Sequence, residues 1–125
     1  MKKIINTPNA PAPIGPYSQA VQTGNMLFVS GQIPIDPATG ELVMESLEAE
    51  TTQVMKNLQA VLTEAGTNFD NVVMTTIFLS DMGYFGTING IYGSYFTANF
   101  PARATVAVKT LPKNVNVEIS VIAVI

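Results

Sequence analysis

The chain has 125 residues, a formal net charge of -3, and no Cys, His or Trp. Those absences exclude disulfide scaffolds, thiolate nucleophiles, Cys/His zinc sites and histidine general bases. The acidic balance leaves no electrostatic footprint for a phosphate backbone, so nucleic acid is not expected as the main partner.

Taken in chain order, Pro8, Pro11, Pro13 and Pro16 prevent a helix near the start and imply a structured loop or extended arm. Lys2 and Lys3 are not expected to open a signal peptide, because the apolar stretch after them is cut short by Asn6, Pro8 and Asn9. Segments 18–22 and 26–33 flank Gly24 and Asn25 and read as a hairpin, with Tyr17 at the start of the first strand. The breakers Pro34, Asp36, Pro37 and Gly40 stop the second strand. From Leu47, apolar or small side chains recur at Thr51, Val54, Leu58, Val61, Leu62 and Ala65, which predicts a helix. Ser46 is its cap, Glu48 and Glu50 complement its positive end, and Gly66 suits its left-handed exit.

Val72 to Leu79 is β-branched and aromatic with apolar residues on both faces, the pattern of a central strand. A weaker helix follows, with Phe85, Ile88, Ile91, Tyr92, Tyr95 and Phe96 on one stripe and Gly86, Gly90 and Gly93 opposing it. Segments 105–109 and 115–124 read as two strands closing a hairpin around Leu111 and Pro112. With Lys3 to Ile5 as a further strand, the fold class is α+β: one domain over 1–125, a mixed sheet and two helices on one face. Charged residues are only 12% against 47% apolar ones, too few to cover a lone small domain. The sheet's other face is therefore expected to pack on copies of the chain. No segment is apolar and long enough to span a bilayer, and a cytoplasmic protein is expected. Met26, Met44, Met55, Met74 and Met82 read as core filling.

Arg103 is the only arginine, set at the mouth of an apolar strand in FPARATVAV, and Glu118 is the only carboxylate of the last strand. The expected hairpin puts Arg103 opposite Ser120 and one same-face step from Glu118, on the side that also carries Asn116. Two readings stay open. A guanidinium fork could hold a substrate carboxylate while Glu118 orients a water, or the two could form a structural ion pair. Tyr17 reads as a packed aromatic or a contact group, and Gly31 after Ser30 as a bulge or a close approach to a ligand. Asn89 is either a polar contact or a solvated residue. Ser30 has no activating base beside it in sequence, and the scattered carboxylates make no metal site.

The pieces APAPIGPYSQAV, FVSGQIPIDPATGEL, QVMKNLQAVLTEAG, VVMTTIFLSDM, FPARATVAVKTLP and VEISVIAV together resemble the RidA (YjgF) family of reactive intermediate deaminases over essentially the whole chain. The resemblance implies a homotrimer of a chorismate-mutase-like fold with clefts between subunits and no cofactor. It implies that Arg103 binds the carboxylate of 2-aminoacrylate, 2-aminocrotonate or their imine tautomers, and that Glu118 positions or activates the hydrolytic water. Tyr17, Ser30, Gly31, Asn89 and Thr105 are then the candidate substrate contacts, with 2-keto acids and ammonium as products. Thr105 stands where many relatives carry cysteine, and Ser120 where many carry a second acid. A binding module that holds a small carboxylate in the same clefts is the alternative. A ribonuclease reading conflicts with the acidic balance and the missing histidines.

Overall fold

The structure, a computed structural model, describes all 125 residues. Its elements are β1 (Lys3–Ile5), β2 (Ala20–Thr23), β3 (Met26–Gln32), α1 (Leu47–Glu64), β4 (Val72–Leu79), α2 (Phe85–Gly93), β5 (Ala102–Ala107) and β6 (Val117–Val124). The strands form one mixed sheet in the order β1-β2-β3-β6-β4-β5, in which only the β4–β5 pairing is parallel.

The β2–β3 hairpin forms around Gly24, whose φ of +56° takes the left-handed position that a two-residue turn demands. α1 starts where Ser46 accepts the Ala49 N–H at 3.0 Å and leaves through Gly66 at φ +82°. Its buried face, with Val54, Leu58, Val61 and Leu62, packs on the inner sheet residues Leu27, Val29, Ile77, Leu79, Val117 and Ile119. Each such side chain contributes roughly 1.5–3 kcal/mol by leaving water. α2 carries three glycines at a cost of about 1 kcal/mol each against Ala. The offset comes from buried Ile88 and Tyr92 and from an aromatic cluster in which Phe96 lies 4.9 Å from Tyr92 and 5.4 Å from Phe69 between ring centroids.

Two rows across the sheet show how its faces differ. The row Ile5, Ala20, Val29, Val121, Thr75 is buried under the helices and ends at the open edge on Arg103. The adjacent row Ile4, Val21, Phe28, Ile122, Met74, Ala102 is apolar throughout, and every member is at least partly exposed. An uncovered apolar face of this extent is what the composition led one to expect.

The expected β5–β6 hairpin does not form. β4 lies between the two strands, bonded parallel to β5 and antiparallel to β6. The connection through Leu111 and Pro112 instead crosses β4, with Lys113 and Asn114 turning the chain at φ +55° and +57°. β5 also begins earlier than the β-branched run suggested, so Arg103 lies inside the strand instead of before it. β2 starts at Ala20, leaving Tyr17 in the preceding loop, and α2 ends at Gly93, so Tyr95 and Phe96 pack from a turn. Of the methionines, Met55 is fully buried, whereas Met44 and Met82 are 40% and 45% exposed because they sit in connections outside the core. Met74 faces outward on the apolar row.

Candidate functional site

Two open depressions carry the side chains singled out by sequence other than Thr105, and they lie on opposite sides of the sheet. Because Arg103 is in register with Thr75, and Thr75 with Val121, its side chain leaves the sheet on the helix side. Glu118 is in register with Phe78 on the outer side. The same-face expectation is therefore corrected: it depended on β5 and β6 being neighbours. The intrachain ion pair falls with it.

On the helix side, α2 presents Phe85, Asn89 and Tyr92, spaced by four and three residues and so on one face. Arg103 donates from Nη1 to Asn89 Oδ1 at 2.6 Å, and its guanidinium carbon lies 5.3 Å and 5.2 Å from the ring centroids of Phe85 and Tyr92. Tyr92 is itself fixed by a 2.8 Å hydrogen bond between its hydroxyl and Thr75 Oγ1. Burial pushes the Tyr92 phenol up, partly opposed by that bond and by the Arg103 charge, so it stays neutral. The guanidinium is thus held by neutral groups, with no carboxylate of the same chain paired to it. Arg103, Asn89, Tyr92, Gly93, Phe100 and Pro101 line an open depression of about 380 Å³. Thr105 sits two residues along β5, in register with Ile77. Its hydroxyl is buried without a hydrogen-bond partner and does not line this depression.

On the outer side, Ile14, Tyr17, Ser30, Gly31, Pro112 and Glu118 line a second opening of about 410 Å³. A register shift between Val29 and Gln32 bulges β3 at Ser30 and Gly31. Glu118 lies against that bulge so closely that a Cβ on Gly31 would stand 2.6 Å from Oε2. Burial pushes the Glu118 carboxyl above its ordinary value of 4.5. Tyr17 accepts the Ile14 N–H at 3.2 Å, so its own hydroxyl proton is directed elsewhere. Ser30 donates to the Ser18 carbonyl at 2.6 Å, leaving oxygen lone pairs as acceptors. The buried Gln19 side chain ties this loop together through the Thr7 N–H and the Thr7, Ala10 and Pro11 carbonyls.

Sequence reasoning named Arg103, Asn89, Tyr17, Ser30, Gly31, Glu118 and Thr105, of which Thr105 lines neither opening. It did not give Phe85 and Tyr92 their place as the walls around the arginine. Their shared face with Asn89 was the available signal, absorbed into a core stripe. Ile14 and Pro112 carried no signal, since only the folded loops bring them to Glu118.

The family model described as Endoribonuclease L-PSP matches residues 7–125. The 2-iminobutanoate/2-iminopropanoate deaminase of Mus musculus is 49% identical over 124 residues, covering 99% of this chain and 92% of the mouse protein. The chain belongs to the RidA (YjgF) family. A solved Rid-family structure, YyfA of Yersinia pestis, superposes with a TM-score of 0.98 at 51% identity, covering 100% of both chains. The structure of E. coli TdcF with bound serine gives a TM-score of 0.94 at 40% identity, with 98% of each chain covered. The sheet with its two helices is accordingly the chorismate-mutase-like α+β fold of Rid proteins. Within that fold, one chain of this RidA-family member presents a guanidinium at one surface and a half-buried carboxyl at another.

Proposed function

We propose that the protein hydrolyses 2-imino acids and their enamine tautomers to 2-keto acids and ammonium, in clefts where Arg103 of one subunit faces Glu118 of the next. The observation that carries this reading is the separation of the two groups on opposite faces of one sheet. Each lines a depression that is open to solvent in the single chain. A homotrimer closed through the apolar sheet face supplies the missing wall of each cleft.

In this reading Arg103 takes the substrate carboxylate in its fork, held flat between Phe85 and Tyr92. Glu118, ionised, accepts a proton from water as the oxygen adds to C2 of the imine. The carboxyl then returns that proton to nitrogen, and as the C2 hydroxyl gives up its own proton to the amine through the carboxylate, the C–N bond breaks, leaving the 2-keto acid and ammonia. Its raised pKa serves both transfers, since a base closer to neutrality also gives its proton back readily. Tyr17 offers its free hydroxyl proton to the forming oxygen, and Ser30 accepts from the substrate N–H. The substrate is already an activated imine, so positioning and one acid/base group meet the modest barrier that remains. Thr105, with its hydroxyl turned inward, lies behind the clamp in this arrangement.

The test is 2-keto acid formation when a pyridoxal phosphate lyase generates 2-aminoacrylate from serine in the presence of the purified protein. Faster release than with the lyase alone, lost in Arg103→Ala, is the expected result. Unchanged turnover in Arg103→Ala would refute the clamp. A second reading, a module that holds small carboxylates without turning them over, draws on the serine bound in the TdcF structure. Saturable 2-ketobutyrate binding with no effect on 2-aminoacrylate would select it.

A further inference from the structure

Asn89 is followed by Gly90, the only Asn-Gly pair in the chain; every other asparagine precedes a residue with a side chain. A glycine after asparagine removes the Cβ that otherwise obstructs attack by the next backbone nitrogen on the carboxamide. Asn89 is also the residue whose Oδ1 takes the Arg103 hydrogen bond at 2.6 Å. The reactive dipeptide and the anion clamp therefore share one atom.

We propose that Asn89 is a site of spontaneous deamidation and that the carboxylate it produces occupies Arg103 and closes the anion site. The Gly90 backbone nitrogen bonds to Asn89 Cγ and gives up its proton, the Cγ–Nδ2 bond breaks, and Nδ2 leaves as ammonia. Water then opens the resulting five-membered succinimide at either carbonyl, giving aspartate or isoaspartate. The sum is amide plus water to carboxylate plus ammonium, with no other reactant.

Three features of the structure favour the chemistry. The guanidinium on Oδ1 stabilises negative charge on that oxygen as the carboxamide carbon becomes tetrahedral. Helical backbone holds the Gly90 nitrogen away from Cγ, so the turn must open first. α2 is built to open: nine residues long, it holds Gly86, Gly90 and Gly93 and has no side-chain cap at its N-terminus. Gly90 is exposed, and a Cβ there would meet nothing within 4 Å.

The consequence follows from charge. Today Arg103 is bonded to a neutral amide that cannot neutralise it. A carboxylate at the same place is a built-in competitor for the substrate's own carboxylate, tethered at a high effective concentration. Age or alkaline exposure would then switch the clefts off one by one.

The experiment incubates the whole protein in warm, mildly alkaline buffer and follows peptide masses and 2-ketobutyrate binding by calorimetry. Asn89 is expected to convert well ahead of the other asparagines, and binding to fall in step. Gly90→Ala should keep Asn89 intact and binding undiminished over the same period. Asn89→Asp, made directly, should bind 2-ketobutyrate at least about tenfold more weakly. Conversion of Asn89 no faster than that of Asn6 or Asn9, or equal binding by Asn89→Asp, would overturn the proposal. The second half rests on the clamp reading above. If the fresh protein binds no 2-keto acid, that reading and the switch both fall, while the mass change still decides the chemistry.

Discussion

Arg103 and Glu118 project from opposite faces of one sheet, separated by β4, which pairs Thr75 with the first and Phe78 with the second. No rotamer change within a chain brings them together, because the sheet itself is the barrier. Cooperation between them requires two chains. Arg103→Ala and Glu118→Gln subunits should each be inactive alone, by about 100-fold or more for loss of a charge-assisted clamp. Unfolded together and refolded at equal ratio, they should regain activity, since about a quarter of the clefts of a randomly mixed ring receive both native groups. Keto acid release by the mixture measures this. A mixture no more active than its components would mean that the groups do not meet across subunits.

Gly31 predicts a separation of fold from activity. The three atoms nearest a methyl there are Oε2, Cδ and Cγ of Glu118, so the carboxylate swings away and the sheet survives. Gly31→Ala should melt within a few degrees of the parent, a change of about 1 kcal/mol or less. Its turnover should fall to the level of Glu118→Gln. Full activity in a folded Gly31→Ala would show that the carboxylate's seat on the bulge is unimportant.

Much of this is legible in the sequence alone. The period of α1, its Ser46 cap, the Gly24 turn and the outer apolar row follow from local spacing, which is what sequence encodes most directly. Strand order was not legible, because a chain returning through Pro112 can pair directly or step over a neighbour with nearly the same residues. That single choice decided which face carries Arg103. The outward side of β6 was read correctly for Glu118 and Ser120 against Val117, Ile119 and Val121, whereas Asn116 lies in the bend before the strand and turns its amide to Glu50 of α1. The side of β5 depended on its partner. Glu50 shows the same limit: read as a helix-end charge, it is buried and accepts both the Asn116 N–H at 2.8 Å and its side-chain amide at 2.9 Å.

The raised carboxyl of Glu118 fixes the sign of a pH effect. The folded chain holds this proton more tightly than the unfolded one, so folding takes up protons between 4.5 and the raised value. The group's contribution is fully present below 4.5 and is lost as pH rises through the folded pKa. Glu118→Gln should therefore be more stable than the parent at neutral pH, with the gap closing on acidification. Urea titrations at neutral and acidic pH measure it. In the same window parent turnover should fall as the pH drops, because the ionised form takes the proton from water.

Tyr92 offers a test of what positions the clamp. Tyr92→Phe keeps the ring beside Arg103 but leaves the Thr75 hydroxyl, on a fully buried residue, without its 2.8 Å partner. The cost should be about 1–2 kcal/mol of stability, with 2-ketobutyrate affinity nearly unchanged. Tyr92→Ala should lose affinity as well, since the wall itself goes. Equal affinities for the two variants would remove the ring from the account.

Phe28 tests the assembly. It is 44% exposed in the middle of the apolar row, between Val21 and Ile122. A charge at this position costs the isolated chain little, because water already reaches it, but in an interface between sheets it would be buried without a partner. Phe28→Asp should retain the circular dichroism of the fold and fall to monomer mass by light scattering. With the clefts opened, its deaminase activity should drop by about 100-fold or more, as for loss of either polar group. A monomeric Phe28→Asp with full turnover would show that one chain suffices, and would leave Arg103 and Glu118 without a shared site.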